Sequence, residues 1–269
     1  MSIAGGLHKA LERGRAIGCT SIQMFSHNPR GWRASLINPE DAVLFRETRA
    51  RLDMGPVFIH TSYLINIASP KEELREKSLG MLREEMVRAH AIGAEFVVTH
   101  TGTAHDAHGR QRAIKSIRKA LGGLDVSSSL LIENTSGKRG DISSRVEDLA
   151  EIMDGAAGLV SGVCLDSCHA FAAGYDLSVE EGVESLAAEV VRYLGKSSVK
   201  LIHLNDSKGE MGSGTDRHDH LGHGRIGLKG LGFFVKHQVF ADSPAILETP
   251  KEKEDDDLMN LEILHSLLS

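Results

Sequence analysis

At 269 residues, with 41% hydrophobic and 25% charged side chains, the chain is long enough to bury a sizeable core and has the balance of a soluble globular protein. It opens on no secretory leader and holds no uninterrupted apolar run long enough to span a bilayer, so the expectation is a cytoplasmic protein without a membrane partner. The net charge of −6 argues against a surface that grips nucleic acid everywhere, but it leaves room for a local positive site, above all one built on bound divalent metal ions.

The predicted elements alternate in chain order. A helix over 4–17 leads to a short apolar strand at Ser21–Phe25, and a helix over 39–53 leads to Val57–His60. The next pairs are 70–91 with Phe96–His100, 110–121 with Leu130–Glu133, and 143–154 with Val163–Asp166. Helices over 178–194 and 228–238 precede strands at Leu201–Leu204 and Ala245–Glu248, and a helix over 256–268 closes the chain. Asn38-Pro39 and Ser69-Pro70 are start signals, a capping side chain followed by proline at the first helical position. Short continuous apolar strands between helices predict a parallel sheet covered by helices, and at this length its natural closed form is a TIM (β/α)8-type barrel. Eight helices against seven strands, with a helix first, imply that the first β-strand is lacking at the N-terminus. No linker or low-complexity segment divides residues 1–269, so a single domain is expected, with the charged run Lys251–Asp257 as a loop. The three cysteines, Cys19, Cys164 and Cys168, read as small buried thiols rather than a disulfide framework or a zinc pair.

The strand ends carry the chemistry. His60, His100, Glu133, Asp166 and Glu248 finish five strands, and His203 lies in a sixth. A single histidine or aspartate at a strand end is more often a satisfied turn or cap residue. Six together, converging on the carboxyl face of a barrel, would cost several kcal/mol unless a positive charge compensates them. A mixed nitrogen and oxygen set suits zinc, with manganese or iron as alternatives. His169 follows Asp166 by three residues, and Asp216 and His218 fall in a loop of about twenty residues after the sixth strand. Loops of that length are usually functional or else mobile. Nine ligands exceed what one ion can use, and two or three clustered metals are the usual means of hydrolysing phosphate esters. His105 and His108, in a glycine-flanked loop, are assigned no role.

Several stretches resemble deoxyribonuclease IV, the endonuclease IV family of abasic-site DNA repair enzymes. They are His60-Thr-Ser-Tyr-Leu-Ile-Asn-Ile, Ile132-Glu-Asn-Thr-Ser-Gly, the run from Gly162 to Tyr175-Asp176, His203-Leu-Asn-Asp-Ser-Lys, Asp216-Arg-His and Leu247-Glu-Thr. The resemblance extends from about Ser2 to the C-terminus, in family order. It implies a TIM barrel with three zinc ions per chain. His60, His100 and a bridging Glu133 would hold the first, Glu133, Asp166, His203 and Glu248 the second, and His169, Asp216 and His218 the third. It further implies that a hydroxide attacks the phosphorus 5′ to an abasic nucleotide in double-stranded DNA, leaving a 3′-hydroxyl and a 5′-deoxyribose phosphate. Glu133 and Glu248 would be the catalytic carboxylates, with Glu248 orienting the nucleophile, and blocked 3′ ends would also be cleaned. Arg30, Tyr63 and Leu64 resemble the residues that enter the minor groove as the lesion is flipped out, and a monomer is expected. Two departures stand out. The family begins with a strand before the segment matching Ser2-Ile3-Ala4-Gly5-Gly6, where this chain has only Met1, which implies an open barrel, a gap closed by a partner, or a misassigned start. Thr101-Gly102 replaces the family's proline-glycine pair after His100, and His105 is displaced by one position.

The rival reading is a metal-dependent sugar isomerase or epimerase on the same barrel, which needs one or two metals and has no use for His169, Asp216 and His218. A non-catalytic DNA-binding or metal-storage protein is the third reading. It draws its weight from the lacking strand.

Overall fold

The computed structural model describes residues 1–33 and 35–269. Its frame is one parallel sheet of seven strands in the order β1 (Ile22–Phe25), β2 (Val57–His60), β3 (Phe96–His100), β4 (Ser129–Glu133), β5 (Val160–Asp166), β6 (Val199–His203) and, from later in the chain, β9 (Ala245–Ile246). Between consecutive strands the chain crosses over through α2 (Pro39–Leu52), α3 (Glu72–Ile92), α4 (Gly109–Leu121), α5 (Val146–Gly155), α7 (Glu180–Tyr193) and α8 (Gly227–Lys236). α1 (His8–Ala16) precedes the sheet and α9 (Asp256–Leu268) ends the chain. Although β1 and β9 lie at opposite ends of the strand order, Gln23 Nε2 donates to Glu248 Oε1 across 2.7 Å. The sheet therefore curls into a nearly closed barrel, open only between β1 and β9.

Two apolar layers hold this shape. Phe58, Val98, Leu131, Cys164 and Leu201 fill the barrel interior, while the alternate strand residues, among them Ile59, Val97, Ile132, Val163 and Ile202, pack outward against the helices. Cys164 and Cys168 are buried, as the sequence predicts, and burial pushes both thiols up to about 12.

The capping signals act as expected in one case and shift in the other. Asn38 Oδ1 accepts from Glu40 N at 3.0 Å with Pro39 opening the helix. Ser69 Oγ accepts from Lys71 N, but α3 begins at Glu72, two residues beyond the predicted start. Three elements depart further from expectation. A six-residue helix, α6 (Ser167–Ala172), follows β5 directly. The long loop after β6 holds a two-stranded antiparallel hairpin, β7 (Asp206–Ser207) with β8 (His218–Asp219), and is pinned from below by Asp206, whose buried carboxylate accepts from the backbone N–H groups of Gly222, Gly224, Ile226 and Gly227. β9 ends at Ile246, so Glu248 stands just past the strand and is held by its own N–H, donated to Asn205 Oδ1 at 2.8 Å.

Candidate metal centre

All nine predicted ligands come together at the carboxyl face of the barrel. The sheet register sets them level, with His100 beside Glu133 and Asp166 beside His203. Among these nine side chains three groups of ligand atoms result: His60, His100 and Glu133; Glu133, Asp166, His203 and Glu248; and His169, Asp216 and His218; two further groups include a cysteine, Cys164 with Glu133 and His203, and Cys168 with Asp166 and His218. Within each group the ligand atoms lie within 4.8 Å of one another. Glu133 is the hub, fully buried, with Oε2 at 3.2 Å from His60 Nε2 and 3.5 Å from His100 Nε2, and Oε1 at 3.1 Å from His203 Nδ1. His169 Nε2 lies 3.1 Å and His218 Nε2 3.5 Å from Asp216 Oδ1. Ligand atoms about 3.3–3.5 Å apart are the edges of a tetrahedron around an ion bound at about 2.0–2.1 Å.

The outer nitrogens show which way the rings face. Nδ1 of His60 donates to the Thr61 carbonyl at 2.8 Å, that of His169 to the Asn134 carbonyl at 3.0 Å, and that of His218 to the Glu248 carbonyl at 3.0 Å. Nε2 of His203 donates to Gln23 Oε1 at 2.9 Å. A carbonyl only accepts, so in each neutral ring the other nitrogen turns a lone pair toward carboxylate oxygens. Lone pair against anion is repulsive unless a proton or a metal ion stands between. His218 Nε2, buried and without a hydrogen-bond partner among the described residues, is the plainest case.

The charges act accordingly. Burial works against every ionised group here, but the ring partners outweigh it for Glu133, whose carboxyl is held well below the usual range by His100, His203 and His169. Asp216 is lowered through its bond to His169, and Glu248 mainly by His203. Burial likewise opposes the charged forms of His60, His169 and His203, yet their partners raise all three, carboxylates at His60 and His169 and Cys164 followed by Glu248 and Glu133 at His203, whereas burial prevails at His100 and lowers it. Four carboxylates and five imidazoles packed this closely fit divalent cations, with the two three-residue groups each leaving a position for water.

Several positioning residues escaped the sequence reading. Gln23 spans His203 and Glu248, Asn134 exchanges hydrogen bonds with the Asp166 backbone, and Asn205 donates to Asp166 Oδ2 at 2.7 Å while accepting from Glu248 N. Their signal was position: Gln23 lies in a strand like the ligands, and Asn134 directly follows Glu133. Asn205→Ala is expected to weaken metal affinity and activity about 10–100-fold while leaving the nine ligands in place. Unchanged metal affinity in a competition titration with a chromophoric chelator would remove Asn205 from this role.

Arg30 and Tyr63 are exposed and Leu64 is half-buried beside the centre. Ser62 Oγ donates to the Pro29 carbonyl at 2.7 Å and ties their two loops together. The Tyr63 ring meets Phe25 edge-on at 5.1 Å. From behind, Arg88 reaches the Ser26 and Ser35 carbonyls, and Glu85 accepts from Ser26 Oγ, so a buried pair on α3 anchors the loop that carries Arg30. A groove of about 350 Å³ runs from Tyr63 and Leu64 past His100 and Asp216 to Lys138. His105 contributes to none of the three ligand groups among the described residues.

Comparison with known proteins gives the fold and the family. Residues 11–265 match the family model described as xylose isomerase-like TIM barrel. The chain is 41% identical to a protein of Halothermothrix orenii named "Probable endonuclease 4", over 97% of this chain and 96% of that one. It is 40% identical to a protein of the same name from Chloroflexus aurantiacus, over 100% of this chain and 96% of the relative. The crystal structure of endonuclease IV from Thermus thermophilus superposes with a TM-score of 0.90 at 36% identity, covering 100% of this chain and 97% of that one. A D-tagatose 3-epimerase-like protein superposes at 0.74 with 18% identity, a likeness of fold alone. The chain belongs to the endonuclease IV family of xylose isomerase-like TIM barrels.

Proposed function

We propose that the chain is a zinc-dependent DNA repair endonuclease that cleaves the phosphodiester 5′ to abasic sites in duplex DNA and also clears blocked 3′ ends. The observation that carries this reading is the set of three contiguous ligand groups beside a groove lined by Tyr63 and Leu64 together with His100 and Asp216. Family membership supports the same chemistry.

His60, His100 and Glu133 would hold one zinc ion, Glu133, Asp166, His203 and Glu248 a second, and His169, Asp216 and His218 a third. Bound zinc would supply Lewis acidity at the phosphoryl and leaving oxygens and lower the pKa of water. Tyr63 and Leu64 fill the space left by the flipped nucleotide, and Arg30 joins them in the stack. Glu248, ionised at neutral pH and aimed by Gln23, accepts the proton of the attacking water. As water adds to phosphorus, the bond to the preceding 3′ oxygen breaks and that oxygen takes up a proton, which restores the carboxylate of Glu248 through solvent, giving a 3′-hydroxyl and a 5′-deoxyribose phosphate. All nine ligands come from one chain, so a monomer is sufficient for activity.

A sugar epimerase needs fewer ligands, and the His169, Asp216 and His218 group favours the nuclease. Purified protein with about three zinc ions per chain is expected to incise a duplex carrying one abasic site, and prior chelation is expected to abolish incision. Zinc-loaded, folded protein that leaves the duplex intact would overturn the assignment.

A further inference from the structure

The loop that presents Arg30 rests on a buried cluster of charge. Glu85 and Arg88 lie three residues apart on one face of α3, both buried. Arg88 directs its guanidinium at neutral oxygens. Its Nε donates to Ser26 Oγ at 2.7 Å, and its terminal nitrogens donate to the Ser26 and Ser35 carbonyls. Glu85, with 1% of its side chain exposed, accepts from Ser26 Oγ through one oxygen, and the other lies 2.9 Å from His27 Nε2. That is the only ion pair Glu85 makes among the described residues.

His27 has an accepting oxygen at each ring nitrogen. Nδ1 lies 2.8 Å from the Asn28 carbonyl, and Nε2 lies against the Glu85 carboxylate. Nε2 makes no aligned hydrogen bond among the described residues, so its contact with Glu85 is one of charge. A neutral imidazole carries one N–H and one lone pair, so either tautomer leaves an unprotonated nitrogen against an oxygen that cannot donate. The imidazolium meets both oxygens and supplies the cation that a buried carboxylate needs. The charged groups that act on the ring both come from α3 and oppose each other. The contact with Glu85 raises the His27 pKa above its ordinary value, against burial and Arg88, which lower it.

The carbonyl that meets His27 Nδ1 also closes the turn carrying Arg30. Gly31 N donates to the Asn28 carbonyl at 3.1 Å, with Pro29 and Arg30 as the central residues, and Arg30 N donates to Asn28 Oδ1 at 3.1 Å. The proton on Nδ1 thus fixes the peptide from which the turn springs, and the contact with Glu85 fixes the ring to α3.

We propose that His27 is a positioning residue for lesion binding, a protonated brace between α3 and the Arg30 turn that frees the turn when it loses its proton. The consequence for DNA rests on the reading of Arg30 as a lesion contact; the brace itself does not. Because the proton is lost as pH rises through a raised pKa, the turn is held at the acidic side of that value and loosened above it.

The test follows the zinc-loaded protein beside His27→Lys, which keeps a cation throughout, and His27→Gln, which has none. In NMR titration the His27 ring, identified by its loss in His27→Gln, is expected to titrate above an unperturbed histidine. In incision of a duplex carrying one abasic site, the KM of the native protein divided by that of His27→Lys is expected to rise about three- to tenfold between about pH 6 and about pH 9, while kcat stays alike in the two. The ratio cancels titration of the metal centre that both proteins share. His27→Gln should show the higher KM at every pH. Amide exchange at Arg30 and Gly31, divided by that of His27→Lys at the same pH, should quicken over the same range. A ring that is neutral at neutral pH would overturn the proposal, and so would a KM ratio or an exchange ratio that stays flat. Exchange that follows His27 in a protein that leaves the duplex intact would refute the nuclease reading and still support the brace.

Discussion

Changing Glu133 to glutamine is expected to lower incision about 10³-fold or more and to reduce bound zinc from about three ions per chain to about one. The side chain keeps its size, so the buried hub stays filled. What is lost is the charge and the second ligating oxygen. Both Glu133 oxygens face ring nitrogens, Oε2 those of His60 and His100, Oε1 that of His203. Two of the three ligand groups depend on it, while His169, Asp216 and His218 keep their own set. Elemental analysis alongside incision assays checks this. A fully loaded and active Glu133→Gln protein would show that the hub is structural only.

For Glu248→Gln the expected pattern differs: lesion binding is retained, KM stays within about threefold, and kcat falls about 10²–10⁴-fold. Glu248 Oε1 accepts from Gln23 and Oε2 lies 3.3 Å from His203. The amide fits the same space but cannot take a proton. Metal content measured on the same sample separates a lost ligand from a lost proton acceptor. Unchanged turnover would remove Glu248 from the proton transfer.

The parts legible in the sequence were those written in repeating physical patterns. Continuous apolar runs gave seven strands in the right places, and ligand-type residues at their ends gave the convergence, because a parallel barrel brings all carboxyl ends to one face. The misses were short or neutral. α6 spans six residues, too few for a helical period to show, and the β7–β8 pairs are held by the fold of the loop rather than by propensity. Gln23, Asn134 and Asn205 carry no charge and so do not announce themselves as part of a metal centre, although they fix its rings and carboxylates. Arg88 and Glu85 lie in a heavily charged stretch, and only packing shows that they are buried.

Asp166 links ligand and scaffold most closely. One oxygen caps α6 by accepting from His169 N at 2.7 Å, while the other accepts from Asn205 and faces His203 and His218. The same carboxylate thus sets where the helix bearing His169 begins and how the neighbouring rings are faced. Lengthening it by one methylene, as glutamate would, cannot satisfy both tasks at once, so this position and the start of α6 can change only together. The sequence between β5 and α6 is therefore constrained by helix geometry as much as by coordination chemistry, and a redesign for a larger ion would have to rebuild the turn before it could alter the ligand.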